Sequence, residues 1–266
     1  MQQAFDTIAK GYDASFTHGI IGKAQRQIVW GYLEKTFLDN KKLNVLELNC
    51  GTGEDAIWFA KQGHKVLATD LSESMLDIVQ QKIDKEDLSS RIQTSKLDIT
   101  TIPDKHFSEG FDLIFSNFGG MNCISPAEML QIPKALSGLL NTNGRLIMVI
   151  MPRYCLWETS YFLTKLNFKK AFRRYSDDGT IAKLNGLEFR TFYYTPNQMK
   201  KISGKYFDAI NIKLVGFFIP PSYLEKFFAP KVKTFNLLKK IEKIFSNQRI
   251  LAGFSDHYLI DLQVKK

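Results

Sequence analysis

Cysteine is scarce in this chain of 266 residues. Cys50, Cys123 and Cys155 form no CxxC pair and are odd in number, which speaks against a disulfide framework and a structural zinc site. Histidine is nearly as rare: His18, His64, His106 and His257 show no ligand spacing, so no metal is expected. Long apolar runs are missing too. The longest, at 146–151 and 214–219, are far too short to span a bilayer. The first six residues have no apolar core behind a basic start, so a secretory signal is not expected. A soluble, reducing, cytoplasmic setting follows as the default expectation. There is no internal repeat and no low-complexity linker. With 44% hydrophobic and 24% charged residues, the composition excludes disorder and collagen-like structure.

What is present is charge asymmetry. Residues 1–150 carry a net charge of −3 and residues 151–266 a net charge of +12. A basic second half suits an acidic substrate, nucleic acid or an anionic membrane, and equally a set of solvated lysine-rich helices.

Hydrophobic periodicity organises the first half. Residues 25–37 read as a helix with Ile28, Val29, Tyr32, Leu33 and Phe37 near one face. Buried parallel strands are predicted at 43–48, 65–70, 92–97, 111–116 and 145–151. Helices are predicted between them at 54–62, 72–85 (with Ser72 as N-cap) and 126–140. This alternation predicts an α/β fold with a Rossmann-like, mostly parallel sheet covered by helices on both faces. The rhythm then breaks. Residues 152–205 predict a helix at 156–172, paired strands at 180–184 and 187–194, and a short helix after Pro196. Strands return at 209–219 and 257–264, around a lysine-rich helical stretch at 223–245. The expected organisation is one domain with insertions: a helical segment (1–40) over the site, a core (41–151), a lid (152–205), and the last two strands with a basic helical insertion (206–266).

In such a sheet, ligands sit at the carboxyl ends of the strands. Gly51 and Gly53 fall there, after the first strand, and glycine permits a tight turn and close backbone approach. The neighbouring acids discriminate between ligands. Glu47, inside the strand, would repel a nicotinamide cofactor's pyrophosphate but favour a cationic amino group. Asp70 ends the second strand, where an acid accepts hydrogen bonds from ribose hydroxyls. Leu71 and Met75 could pack on an adenine face, and Asp98 ends the third strand, where it could accept an exocyclic amine.

Val45-Leu46-Glu47-Leu48-Asn49-Cys50-Gly51-Thr52-Gly53 resembles the first motif of class I S-adenosylmethionine-dependent methyltransferases, with Asn49 replacing the first glycine. Thr69-Asp70-Leu71-Ser72-Glu73-Ser74-Met75-Leu76, Leu97-Asp98-Ile99, residues 111–118 and Asn143-Gly144-Arg145-Leu146 resemble the later motifs. Phe5-Asp6-x-Ile8-Ala9-x-x-Tyr12-Asp13 is similar to small-molecule members, whose tyrosine borders the cofactor. The resemblance covers about residues 4–151. It implies a seven-stranded sheet, S-adenosylmethionine as cofactor with S-adenosylhomocysteine as product, and a binding set of Tyr12, Glu47, Asn49, Gly51, Gly53, Asp70, Leu71, Met75, Asp98, Ile99 and Asn117. Asn49 tolerates left-handed backbone, so the turn survives the substitution.

Methyl transfer from a sulfonium is an in-line displacement that needs positioning, and a general base only for a weakly acidic acceptor. His18 and His257 are the candidate bases. Asp256 neighbours His257, though adjacent residues on a strand face opposite ways. Cys123 reads as a small wall residue. The lid is rich in aromatics, with Arg153, Arg173 and Arg174, suited to an apolar or aromatic, acidic acceptor, or to a satellite core. The amphipathic stretch 233–245 suits peripheral membrane contact or packing on the core. The leading expectation is methyl transfer to a small-molecule acceptor. The alternatives are an RNA or tRNA methyltransferase and a non-catalytic S-adenosylmethionine-binding protein. Against RNA, Asn117-Phe118-Gly119-Gly120 stands where a base-methylation motif would be.

Overall fold

The computed structural model describes residues 6–7, 9, 11–13, 17–37, 41–104, 107, 109–184 and 187–265. Phe5, Ile8 and His106 lie outside them. In chain order, α1 (Ile20–Phe37) leads into β1 (Asn44–Leu48), α2 (Glu54–Lys61), β2 (Lys65–Asp70), α3 (Glu73–Lys85), β3 (Ile92–Lys96) and β4 (Phe111–Ser116). Next come α4 (Pro126–Met129), α5 (Ile132–Leu139) and β5 (Leu140–Ile150). The segment expected to be a lid (152–205, called the lid below) begins with α6 (Leu156–Thr164), α7 (Phe168–Ala171), β6 (Thr180–Leu184) and β7 (Leu187–Thr191). The chain closes with α8 (Pro196–Ser203), β8 (Phe207–Val215), α9 (Glu225–Phe228), α10 (Val232–Phe245), α11 (Arg249–Ala252) and β9 (His257–Val264).

Seven strands form one sheet in the order β3-β2-β1-β4-β5-β9-β8, and β6 and β7 form a separate hairpin. The first five pair in parallel, while β9 runs antiparallel to both β5 and β8. This is the Rossmann-like, mostly parallel sheet that the alternation predicts. Successive side chains point to opposite faces of a strand, so each strand feeds two cores. Leu146, Met148 and Ile150 enter the core under α5 and α8, whereas Ile147 and Val149 enter the one under α1, α2 and α3. Among the described residues, no helix is long and apolar enough to cross a membrane.

Several boundaries depart from expectation, each for an identifiable reason. The helix at 126–140 splits in two, because Pro133 sits in the first turn of α5 and cannot donate to a continuing helix. The helix at 156–172 breaks at Leu166, whose φ is +52°, and restarts where the Asn167 side chain accepts from Lys170 N at 3.1 Å. β5 begins at Leu140 instead of 145, with a register shift opposite Phe111. The strand at 209–219 ends at Val215. There the buried Glu242 carboxylate accepts the N–H groups of Gly216, Phe217, Phe218 and Ile219 and draws that backbone out of the sheet.

Candidate active site

The carboxyl ends of β1 to β4 open onto a cavity of about 1040 Å³. Its first wall is the turn after β1. Gly51 (φ +54°) leaves open space where a Cβ would stand, so a ligand can approach the backbone. Gly53 (φ +78°) does a different job. It is not on the wall; a Cβ there would meet Val79 at 2.9 Å, so this glycine lets α2 pack on α3. Asn49 takes φ +48°, the left-handed backbone expected of it. Its side chain accepts from Ser116 Oγ (2.7 Å) and donates to Asn117 O (3.2 Å), tying the β1 turn to the β4 turn.

Asp70 closes the second wall. One carboxylate oxygen accepts from Gly51 N and the other from Ser72 N, both at 2.9 Å. Burial raises its pKa, against the pull of those two N–H groups. Ser72 caps α3 by accepting from Met75 N, as expected, and so places Leu71 and Met75 on the cavity. Asp98 and Ile99 line it too, with Asp98 Oδ1 held by the Thr100 N–H and hydroxyl at 2.9 and 2.7 Å.

Glu47 is placed differently from a wall residue. It is buried beneath the cavity floor, and its Oε2 has no hydrogen-bond partner. Burial, then the charge of Asp55, pushes its pKa well above the usual carboxylate range, with Arg26 opposing. Arg26 and Asp55 were not singled out by sequence. Asp55 accepts from Arg26 Nη1 (2.8 Å), Trp30 Nε1 (2.6 Å) and Asn117 Nδ2 (3.0 Å), joining α1, α2 and the β4 turn at the cavity. A signal existed: Arg26 shares the buried stripe of α1 with Val29 and Leu33, where an unpaired charge would be costly.

The amino-terminal segment borders the same cavity through Tyr12, whose hydroxyl burial pushes up to about 12. Thr52 donates to Asp13 at 2.5 Å, and Lys82 Nζ lies 2.7 Å from Asp13 and 2.6 Å from Glu54. Among the described residues, Asp13, His18 and Glu54 bring ligand-type atoms within 4.8 Å of one another. The Lys82 ammonium already pairs with both carboxylates there.

The fourth-strand turn and the lid form the far wall. Phe118 adopts φ +44°, beside Gly119 at φ +87°. Asn122, fully buried, holds this turn against the lid: its Nδ2 donates to Met151 O (3.1 Å) and Phe192 O (2.6 Å), and its Oδ1 accepts from Met151 N (2.9 Å). Thr180, Ile181, Phe189 and Tyr193 of the lid line the cavity opposite Cys123. Burial pushes the Cys123 thiol up to about 12, so it stays protonated at neutral pH. Neither candidate histidine is on the wall. His18 is exposed beside Asp13, and His257 lies behind Phe118, edge to ring at 5.3 Å. His257 Nδ1 sits 3.2 Å from Asp256 Oδ2 without the alignment of a hydrogen bond. The two side chains meet, contrary to the strand alternation expected, because Asp256 precedes β9 and is free of its pleat.

Residues 45–144 match a family described as "Methyltransferase domain". These residues belong to a class I, S-adenosylmethionine-dependent methyltransferase domain. Around this methyltransferase domain the likeness is looser. A demethylmenaquinone methyltransferase of Lactococcus lactis is 27% identical over 179 residues, 66% of this chain and 64% of that protein. A tRNA 5-carboxymethoxyuridine methyltransferase of Escherichia coli (strain K12) is 31% identical over 91 residues, 34% of this chain and 35% of that protein. The matched part thus spans less than two thirds of these relatives' lengths. The solved DhpI–SAH complex shares the fold at TM-score 0.62 and 12% identity, covering 99% of this chain and 94% of that one.

Proposed function

We propose that the protein transfers the methyl group of S-adenosylmethionine to a small apolar or aromatic acceptor held between the β4 turn and the lid. The observation that carries this reading is the single cavity that runs from the acid-tipped strand ends, past Phe118 and Gly119, to Phe189 and Tyr193 of the lid. At about 1040 Å³ it lies at the upper end of ligand cavities, which run to about 1,000 Å³.

The residues present fit the cofactor. Gly51 leaves open space, and Glu47 Oε2 and Arg26 Nε are buried polar atoms without a hydrogen-bond partner, on the side where the methionine end of such a ligand would lie. Asp70 would accept the ribose hydroxyls, Leu71 and Met75 would cover the adenine, and Asp98 with Ile99 would meet its exocyclic edge. Tyr12, Asn49 and Asn117 would wall the methionine side. Glu47 would act through the floor, as a negative charge that a cationic amino group would restore.

When bound, S-adenosylmethionine supplies an electrophilic methyl on a positive sulfur. The chain's own task is to hold the acceptor in line and keep water out. Asn122 positions the β4 turn against the lid, and the lid's rings exclude water from the transfer point. With Cys123 protonated and neither His18 nor His257 on the wall, any proton taken from the acceptor would go to a wall carboxylate such as Glu128 or to water, unless the acceptor atom is already nucleophilic near neutral pH.

A second reading, methylation of RNA, draws on the printed function of the Escherichia coli relative and the +12 charge of residues 151–266. Calorimetric titration with S-adenosylmethionine, S-adenosylhomocysteine and NADH separates the cofactors. Labelled methyl transfer to small aromatic acceptors and to tRNA then separates the substrates. Absence of binding by both sulfur compounds would sink the proposal, and tRNA labelling alone would replace it with the second reading.

A further inference from the structure

The corner between α6 and α7 exposes large apolar side chains that a monomeric fold ordinarily hides. Leu166 is 78% exposed, Phe168 61%, Phe172 45% and Tyr175 43%. Ring contacts make them continuous with more surface: Phe172 to Tyr175 at 5.5 Å, Tyr175 to Tyr154 at 5.0 Å, and Tyr154 to Phe254 at 5.8 Å. Contiguous exposed apolar surface of this kind marks an interaction site.

Charge identifies what it meets. Between Glu158 and Asp177 the chain has five basic residues and no acidic one. Arg173 and Arg174 are both paired with the buried Glu158 carboxylate. Lys165, Lys169 and Lys170 stay exposed, interleaved with the exposed rings. Aromatic and leucine side chains flanked by lysines, on a short element that cannot span a bilayer, are the pattern of a segment lying in a lipid interface. The patch reaches the cavity through Arg173, next to Phe172 in the chain, and Ile181, 59% exposed, lines the same cavity.

We propose that this lid corner docks on the surface of an anionic phospholipid bilayer, with the cavity mouth turned toward the lipid. Leu166 and Phe168 enter the headgroup boundary while Lys165, Lys169 and Lys170 pair with lipid phosphates. The amphipathic stretch 233–245, for which the sequence left membrane contact and packing on the core both open, allows both: α10 buries Phe235 and Glu242 on the fold and exposes Leu237 and Ile244, so it is the rival anchor that the test must separate. The inference stands apart from the methyl-transfer reading, because lipid binding is read without cofactor or acceptor.

Co-sedimentation of the whole protein with phosphatidylcholine vesicles, with and without phosphatidylglycerol, tests it. The expected result is binding to the anionic vesicles only, weakened by salt and reduced about tenfold in Leu166→Asp/Phe168→Asp. Both positions are exposed, so circular dichroism should report an unchanged fold. Leu237→Asp/Ile244→Asp on α10 should bind as the parent does. The proposal is overturned by no binding to anionic vesicles, or by binding that survives at the lid variant and is lost at the α10 variant. It is also overturned if the lid variant instead abolishes binding to an unstructured RNA, or dissociates a dimer in sedimentation velocity, without changing vesicle binding.

Discussion

The Asn49 side chain occupies the space that a Cβ on Gly120 would fill: such an atom would fall 2.0 Å from Asn49 Cγ. The two positions face each other across the turns after β1 and β4. The asparagine that replaces a motif glycine is therefore accommodated by a glycine on the other side. Gly120→Ala should destabilise the fold by about 1–3 kcal/mol through overpacking. Asn49→Gly in the same chain should recover a large part of that loss. A double-mutant cycle by denaturant unfolding checks it, and strict additivity would show that the two positions are not coupled.

Asp70 accepts two backbone N–H groups and faces the cavity. Asp70→Ala should weaken S-adenosylmethionine binding by about 2–4 kcal/mol, because it removes charge-assisted partners. Calorimetry reads this directly. Asp70→Asn should keep part of the turn geometry and lose less.

Glu47 makes an opposite pair of predictions for the free and the bound protein. Its folded pKa is raised, so the folded state holds the proton longer than the unfolded chain does. Stability then falls as pH rises from the ordinary carboxylate range through the raised value. Glu47→Gln removes that loss, so the cofactor-free variant should melt higher than the parent at neutral pH. The same variant should bind S-adenosylmethionine about tenfold more weakly, about 1.4 kcal/mol. A melting curve against pH and a titration test the two halves separately.

The lid is latched to the core through buried charge. Arg174 Nη2 lies 3.0 Å from both Glu158 Oε2 and Asp256 Oδ1, and Gln25 of α1 donates to Asp256 Oδ2 at 3.1 Å. Burial raises the pKa of Asp256, but His257 and Arg174 outweigh it and hold the group well below its ordinary value. Its contribution is complete above the unfolded carboxylate value, about 3.9, and is lost as pH falls through the lower folded one. Asp256→Asn should cost about 3–5 kcal/mol, by leaving Arg174 short of a partner. Its melting temperature should also fall less steeply than the parent's on acidification. A parallel acid-side slope would remove Asp256 from the account.

The sequence by itself determined the α/β alternation, the strand tips that carry Asp70 and Asp98, and the left-handed turn at Asn49 and Gly51. These are local properties: apolar period, cap and turn chemistry are written within a few residues. The same locality explains the misplaced end of β8, since Glu242 draws the backbone after Val215 out of the sheet from 26 residues away. Only the tertiary structure decided that Arg26 reaches Asp55, that Asn122 joins the β4 turn to the lid, and that Glu47 lies under the floor. It also decided that His257 stands behind Phe118 instead of on the wall, and that the lid corner leaves its rings and lysines outside. Each depends on which elements pack together, and chain pairing across long separations has no signature in a local pattern.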